Sequence, residues 1–301
     1  MVNKKLLLLG SSGLIGSAIF RKLTDLKSFE IVSPSSYELD LRDSFAVDRY
    51  FQTHKPTHVI HAAGKSGGIY ANINNPSTFS VENTLMTVNV LQSAFKAETK
   101  RLLQFIPSCV YPLTAELPYK EESIGSGHIE ESSKYFAYAK LNALMMAQAF
   151  NQQHKTEFIS IIPSNVYGLA IKSASENSHV IPSLIHRMLV AVKTNQKDIQ
   201  IWGDGKNKRD FLYSDDLAEA TLMILNHASP KPVINVASGE VVSISSLAEL
   251  IRETVDYKGN LNYKNNGLAG AAHKYLDTST ANALGWKART TLKDGIRSLL
   301  V

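Results

Sequence analysis

Short apolar runs alternate with longer amphipathic stretches from the start of the chain to Gly168. The apolar runs predict strands over residues 6–9, 30–33, 57–61, 101–106 and 158–162. The helical periodicity predicts helices over residues 14–26, 44–54, 83–97 and 132–154, with a loop at 65–70. Repeated strand–helix–strand order predicts an α/β fold, a doubly wound parallel sheet of the Rossmann type.

Beyond Gly168 the pattern becomes less regular, starting with a polar, loop-like stretch at 171–179. It predicts helices over 182–194, 245–255 and 291–300, another helix from 214, and strands over 199–202 and 233–236. We expect serine caps at the long helix (Ser132, Ser133) and at the helix opened by two aspartates (Ser214, with Asp215 and Asp216). We predict a dinucleotide-binding domain of residues 1–167 plus 211–236, and a smaller C-terminal substrate lobe of 168–210 plus 237–301.

Three glycines, Gly10, Gly13 and Gly16, lie between the first predicted strand and the first predicted helix. Glycines permit a tight turn and close approach of a ligand, and the helix that follows points unpaired N–H groups at it. A glycine triplet alone also fits an ordinary loop. Its place directly between an apolar strand and a helix favours a dinucleotide pyrophosphate site.

A second stretch of small residues, Ala62, Ala63 and Gly64, follows the strand over 57–61. It predicts a cofactor contact at the sheet edge, with a simple tight turn as the alternative. At the end of the second strand an acid would favour NAD and an arginine NADP, but this chain has Ser35 and Ser36. The choice between NAD and NADP therefore stays open at this position.

Composition and charge narrow the class of protein. The 301 residues are 44% hydrophobic and 20% charged, with a net charge of +5 and no basic run. This excess suits anionic small molecules, so we expect neither a nucleic-acid nor a membrane partner. The single cysteine, Cys109, excludes an intrachain disulfide and a cysteine-based zinc site, and we expect no metal. The absence of a transmembrane-length run or signal-like start predicts a cytoplasmic protein.

Several motifs have spacings that resemble one enzyme family. They are the glycine turn, Gly67-Gly68-Ile69 with Ala71-Asn72, residues 108–112, Lys140, residues 165–168, 177–182, Trp202-Gly203 and 209–212. With these motifs the chain resembles the extended short-chain dehydrogenase/reductases (the NAD-dependent epimerase/dehydratases), most closely the GDP-L-fucose synthases. The resemblance implies 3,5-epimerisation of GDP-4-keto-6-deoxy-mannose, or a related 4-keto sugar, followed by NADPH-dependent reduction at C4.

The resemblance also implies roles for individual residues. Cys109 and His179 match the epimerisation pair, two proton carriers whose reference pKa values of about 8.5 and 6.5 allow transfer either way. Without the surrounding motifs, Cys109 would be a small buried residue and His179 a surface residue. The nucleotide sugar would be held by Arg187, Trp202, Arg209 and Lys274. The cofactor would be contacted by Gly10, Ser12, Gly13, Leu14, Ile15, Gly16, Asp40, Leu41, Ala62, Ala63, Lys140, Pro163, Asn165, Val166 and His179.

The chain departs from the family at the reductase centre of serine, tyrosine and lysine. Lys140 is present, but Phe136 stands at the tyrosine position and Pro107 at the serine position. A phenyl ring has no proton to give. Tyr135 and Tyr138 lie about 140° and 200° from Lys140 around a regular helix, so neither shares its face. Ser108 follows Pro107 but would point the other way at the end of a strand.

Two further departures affect the nucleotide ends. Ser12 and Ser36 replace family arginines near the 2′-phosphate, and residues 267–270 replace a Lys-Pro-Asp-Gly run at the guanosine end. We keep three hypotheses: the full family reaction with Ser108, Lys140 or water as proton donor, an epimerase without reduction, and a binding protein without turnover. The resemblance also implies a homodimer that pairs through the helices over 83–97 and 132–154.

Overall fold

The computed structural model describes residues 4–26, 28–169, 179–264 and 272–300. A parallel six-stranded sheet is its centre, with the strand order β2-β1-β3-β4-β5-β9. Its strands are β1 (Lys5–Leu9), β2 (Glu30–Val32), β3 (His58–His61), β4 (Arg101–Phe105), β5 (Glu157–Pro163) and β9 (Val233–Val236). The reversal of strand order beside β1 is the doubly wound arrangement that the sequence predicts.

Two smaller sheets lie outside the parallel one. Strand β8 pairs with β10, β12 and β6, and β7 pairs with β11. The ranges are β6 (Asn165–Tyr167), β7 (Asp198–Trp202), β8 (Lys208–Tyr213), β10 (Val241–Ser243), β11 (Asn260–Lys264) and β12 (His273–Lys274). Residues 211–213 thus belong to this second group of strands, whereas 233–236 join the large sheet. The domain boundaries stay a prediction.

Helices cover both faces of the large sheet, with α1 against α7 on one side and α2, α4 and α5 on the other. The helices are α1 (Leu14–Leu26), α2 (Ser44–His54), α3 (Ile69–Asn74), α4 (Pro76–Lys96), α5 (Lys134–His154), α6 (Val180–Thr194), α7 (Ser214–Asn226), α8 (Ile244–Thr254), α9 (Ser279–Ala283) and α10 (Leu292–Ser298). Within the described ranges, no helix is long and apolar enough to cross a membrane.

The leucine run of β1 is buried on both faces. Leu6 and Leu8 pack into the cluster under α1 and α7, whereas Leu7 and Leu9 pack into the cluster under α2 and α4. All four are 0–1% exposed. The prediction of a central strand at the chain start is confirmed, since only a strand covered on both faces can bury four consecutive leucines.

The structure differs from the predicted elements at the starts of α3 and α4. Helix α4 begins at Pro76, seven residues before Asn83, and the stretch predicted as a loop at 65–70 ends in the first residues of α3. A proline at the first helical position favours such a start because its missing N–H needs no partner there.

The predicted serine caps are wrong. Ser133 precedes α5 but its hydroxyl makes no capping bond, and Ser132 donates to Glu130 instead. Ser214 is already the first residue of α7, and its hydroxyl contacts Asp215. Ser132 lies one residue before the cap position of α5 and Ser214 one residue after that of α7, so neither is placed to cap the free N–H groups of the first turn. The first turn of α7 does carry Asp215 and Asp216, as predicted.

Candidate active site

The glycine turn between β1 and α1 is tightly packed against the end of β3. Gly10 has φ +85°, and a Cβ there would lie 2.5 Å from the backbone nitrogen of Ala63. A Cβ on Gly16 would lie 2.0 Å from the Gly10 carbonyl oxygen. Side chains at these glycines are therefore excluded, and the structure brings the turn together with Ala62 and Ala63.

The N-terminus of α1 opens next to this turn. The helix has no acidic residue in its first turn, and Ser12 and Gly13 are exposed. Within the described chain no hydrogen bond uses the N–H groups of Leu14 and Ile15. Free N–H groups at the positive end of a helix bind phosphate, so the residues present fit a dinucleotide pyrophosphate.

The segment that follows β5 also lies next to the start of α1. Pro163 closes that strand, and Val166 in β6 packs against the core beneath α1. The Asn165 amide nitrogen donates to the Asp210 carbonyl over 2.8 Å. A Cβ on Gly168 would lie 3.4 Å from a methyl carbon of Leu14. These contacts place the predicted residues at the end of β5 next to the helix that starts the dinucleotide site.

Asp40 and Leu41 are two further predicted cofactor contacts. Leu41 is buried, and the exposed Asp40 carboxylate accepts bonds of 2.8–3.2 Å from Arg42. Hydrogen bonds from Arg42 lower the pKa of Asp40 to about 2. The Asp40 side chain is therefore an anion that Arg42 already binds. Its predicted contact with the cofactor stays a prediction.

Lys140 is buried at the centre of the site. It is 8% exposed, and its Nζ lies 3.4 Å from the position that a Cβ on Gly64 would take. Desolvation lowers the pKa of Lys140 to about 8, although the nearby Cys109 sulfur raises it somewhat. The small residue after β3 therefore leaves room for a lysine that is still mostly protonated at neutral pH but loses its proton about two pH units earlier than an exposed lysine.

Phe136 lies one helical turn before Lys140 on α5. Its half-buried ring packs edge-on against Phe79 of α4, with the centroids 6.0 Å apart. Tyr135 and Tyr138 are 50% and 51% exposed, in agreement with the predicted helix geometry. The phenolic groups next to Phe136 in sequence are thus exposed, whereas Lys140 is buried. The assignment of Phe136 to the tyrosine position of the family stays a prediction.

Pro107 and Ser108 follow β4, but Ser108 is not at a strand end. Strand β4 ends at Phe105, and Ser108 begins a 3₁₀ turn that runs to Val110. The alternation argument that pointed Ser108 away from the site is therefore wrong, because it applies only to extended chain. The Ser108 residue is buried, and its hydroxyl has no hydrogen bond within the described chain.

Cys109 lies in the same 3₁₀ turn, packed against α5, and is partly buried. Desolvation raises the pKa of its thiol. The Lys274 ammonium and the Ser133 hydroxyl act in the opposite direction, and the Glu130 carboxylate reinforces the rise. The thiol consequently keeps its proton at neutral pH.

Glu130 is a member of the site that sequence reasoning missed. Its carboxylate lies 4.0 Å from the Lys274 ammonium. Lys274 pairs in register with Arg209 across β12 and β8. Desolvation lowers the pKa of the partly buried Arg209 guanidinium, and the Glu130 carboxylate acts in the opposite direction. In the sequence, Glu130 is only an acid shortly before a predicted helix. Acids are common at helix starts, so this position gave no indication of a site.

His179 is the exposed residue that precedes α6. The protein around it partly desolvates the imidazole and lowers its pKa. Within the described ranges no hydrogen bond joins it to Cys109, and residues 177–178 of its motif and the stretch 267–270 lie outside those ranges. Its role with Cys109 and its cofactor contact stay predictions.

The other predicted substrate residues lie on α6 and β7. The Arg187 guanidinium donates to the Gln200 carbonyl. Trp202, 46% exposed, contacts Tyr70 of α3 edge-on at 5.8 Å between centroids. Arg187 and Trp202 thus lie on α6 and β7, whereas Arg209 and Lys274 lie side by side on β8 and β12. Tyr70, an exposed aromatic, was also missed by sequence reasoning.

Comparison with known proteins gives a family and related enzymes. The model of the NAD dependent epimerase/dehydratase family matches residues 6–237. A putative GDP-L-fucose synthase 2 of Arabidopsis thaliana is 39% identical over 97% of this chain and 89% of its own length. A GDP-L-colitose synthase of Yersinia pseudotuberculosis is 35% identical over 97% of this chain and 95% of its own length.

Solved structures give the same result. GDP-mannoheptose C4 reductase (MlghC) of Campylobacter jejuni, solved with NADP bound, is 29% identical and superposes with a TM-score of 0.90. The superposition covers 100% of this chain and 98% of that one. The resemblance seen in the motifs is therefore confirmed, and the chain belongs to the NAD dependent epimerase/dehydratase family, with GDP-L-fucose synthases among its relatives.

Proposed function

We propose that the protein is an NADP-dependent enzyme acting on a GDP-linked 4-keto sugar, by 3,5-epimerisation and 4-reduction. The carrying observation is that the turn holding Cys109 packs against α5, where the Cys109 sulfur affects the ionisation of the buried Lys140. A thiol that carries protons thus stands next to the lysine of the cofactor site. The relatives act, by their names, on different GDP-linked sugars, which supports a GDP-linked substrate without specifying the sugar.

The cofactor assignment rests on the glycine turn and on the NADP-bound relative. The N–H groups at the start of α1 would hold the pyrophosphate, and Lys140 would lie at the nicotinamide end. Bound there, the dinucleotide supplies a hydride to C4 of the sugar. Ser12 and Ser36 offer hydroxyls rather than guanidinium groups to a 2′-phosphate, so NAD remains an alternative cofactor.

The epimerisation needs one base and one acid on opposite faces of the sugar ring. The raised pKa of Cys109 keeps a proton on its sulfur, and the lowered pKa of His179 keeps its imidazole neutral. In the resting enzyme His179 is thus ready to accept a proton and Cys109 to donate one. Such a pair inverts a carbon next to the C4 ketone by removing a proton on one face and returning it on the other.

A second candidate function, epimerisation without reduction, is favoured by Phe136. Reduction at C4 requires a proton for the carbonyl oxygen, and the ring of Phe136 packs on Phe79 where the family has a tyrosine. The Lys140 ammonium, the Ser108 hydroxyl and water are the donors that remain, and losing a dedicated donor costs about 10²–10⁴-fold in rate. If these donors are insufficient, the enzyme releases the epimerised ketone.

We also infer a cytoplasmic homodimer. NADP and nucleotide sugars are intracellular metabolites, which supports the location. Helices α4 and α5 pack against each other and expose large apolar residues that a partner copy would cover. These residues, 42–55% exposed, are Val81, Leu85, Tyr138 and Met145.

The test is incubation of GDP-4-keto-6-deoxy-mannose with the enzyme and NADPH in heavy water, followed by mass spectrometry. Deuterium uptake together with reduction supports the full reaction. Deuterium uptake without reduction supports the epimerase. An unchanged mass contradicts both for this sugar and favours a protein that binds without turnover, which titration with GDP and NADPH would then detect.

A further inference from the structure

Two exposed aromatic rings from distant segments of the chain meet each other. Tyr70 lies on α3, which follows β3 of the large sheet, and Trp202 is the last residue of β7 in a smaller sheet. The ring centroids are 5.8 Å apart and the ring planes cross at 73°. Tyr70 is 39% and Trp202 46% exposed, so each ring keeps an open surface although it touches the other. The two rings therefore form a corner with two aromatic walls.

The position of Tyr70 is set by the loop that connects β3 to α3. At the α3 end of this loop, the Asn72 side-chain nitrogen donates to the Gly67 carbonyl over 2.9 Å. Near the β3 end, a Cβ on Gly64 would lie 3.4 Å from the Nζ of the buried Lys140. One short loop thus connects the lysine of the candidate active site to the exposed ring of Tyr70.

The exposed face of β7 has room for a ligand beside the Trp202 ring. Side chains alternate along this strand, so Gln200 and Trp202 lie on its exposed face and Ile201 between them is buried. Gln200 also lines a cavity of about 350 Å³ between α6 and β7. This volume lies within the range of about 300–1,000 Å³ that is usual for small-molecule pockets.

We propose that Tyr70 is a substrate-binding residue, which together with Trp202 stacks on the planar base of the nucleotide sugar. This inference rests on the proposed function, which supplies the nucleotide. The base is the part of such a substrate with a flat π surface, and exposed aromatic rings bind bases by stacking. Because the two rings are nearly perpendicular, one stacks on the base while the other contacts its edge.

The test is a titration of the NADP-loaded protein with GDP, followed by tryptophan fluorescence and by calorimetry. The chain has two tryptophans and Trp286 is only 6% exposed, so fluorescence reports on the surface ring of Trp202. NADP fills the dinucleotide site and keeps GDP from binding there. We expect Tyr70→Ala to raise the Kd for GDP about tenfold, because it removes one stacking surface. Tyr70→Phe keeps the ring and should change the Kd less than about twofold.

A probe without a base and a second tyrosine provide the controls. Pyrophosphate should bind the NADP-loaded wild type and Tyr70→Ala equally, since stacking contributes nothing to its binding. Tyr135 is 50% exposed on α5, and Tyr135→Ala should leave the Kd for GDP unchanged. In turnover, Tyr70→Ala should raise the KM of the nucleotide sugar about tenfold and change kcat less than about twofold, because the reacting ring lies away from the base.

The inference is overturned if Tyr70→Ala binds GDP as tightly as the wild type, or if its affinity for pyrophosphate falls by the same factor as its affinity for GDP. A wild type that binds GDP, with an unchanged Kd in Tyr70→Ala, leaves the proposed GDP-linked substrate standing and removes Tyr70 from its site. A wild type that does not bind GDP contradicts the GDP-linked substrate and the stacking role of Tyr70 together.

Discussion

At the residue scale, the ring of Phe136 bears on the reduction step of the proposed reaction, because a phenyl ring has no proton to give. The family resemblance selects Cys109, Lys140 and His179 from the sequence, and the structure packs the turn that holds Cys109 against α5, the helix of Lys140. Their catalytic roles stay predictions. Glu130 and Tyr70 could not be predicted. Both residues contact the other predicted site residues through packing between segments far apart in the sequence, and no local motif predicts such contacts.

The phenyl ring leads to the first prediction. Phe136→Tyr combined with Pro107→Ser should raise NADPH consumption about 100-fold, since a restored proton donor contributes about 10²–10⁴-fold. The assay is absorbance at 340 nm with the 4-keto sugar. Tyr135→Phe, which changes an exposed phenol on the same helix, should have no effect. Unchanged NADPH consumption in the double variant would show that the missing groups do not limit reduction.

Lys140 leads to a prediction about pH. With a pKa lowered to about 8 by burial, its ammonium loses its proton as pH rises through 8. If Lys140 supplies the proton for C4, NADPH-dependent turnover should fall about tenfold per pH unit above that value. Lys140→Arg should lower turnover and leave the remainder without this fall, because guanidinium stays protonated and does not supply a proton. A fall at the same pH in the arginine variant would assign the titration to another group.

At the scale of elements, strong local signals predicted structure well and weak ones did not. Helices α1 and α2 have the bounds that the sequence predicts, since each has an amphipathic pattern and a defined start. The strands β6, β8, β10, β11 and β12 were missed. They are two to six residues long and held by pairing with strands distant in sequence rather than by their own pattern.

The start of α2 provides a test of one such signal. The Asp43 carboxylate accepts bonds of 3.0 Å from the N–H groups of Phe45 and Ala46. Asp43→Ala should lower the free energy of unfolding by about 1 kcal/mol, measured by urea denaturation. Asp43→Asn keeps the acceptor and should lose much less. Equal losses in the two variants would argue against capping as the cause.

At the scale of the whole molecule, the exposed apolar face of α4 and α5 makes assembly testable. Leu85→Glu with Met145→Glu should convert the proposed dimer to a monomer in light scattering, because each places a charge in the proposed contact. Val190 on α6 is equally exposed at 42%, so Val190→Glu is the matched control and should leave the mass unchanged. A monomeric wild type would overturn the dimer.

Two buried histidines should make the whole fold sensitive to acid. Desolvation lowers the pKa of His58 to about 4 and of His61 to about 3, and both His61 ring nitrogens are buried without partners. The unfolded chain protonates them near pH 6.5, so their contribution is complete above 6.5 and is lost as pH falls towards 4 and 3. The urea midpoint should fall over this range, and less steeply in His61→Leu. If the urea midpoints of the wild type and of His61→Leu fall equally steeply with pH, His61 does not contribute to the acid sensitivity.

The single cysteine has a consequence for redox chemistry. A sulfenic acid formed on Cys109 would have no second thiol in the chain with which to form a disulfide, so its repair would depend on external thiols. Oxidants attack the thiolate, and the raised pKa of Cys109 keeps that form scarce at neutral pH. The environment that keeps the thiol protonated therefore also protects the sulfur from peroxide.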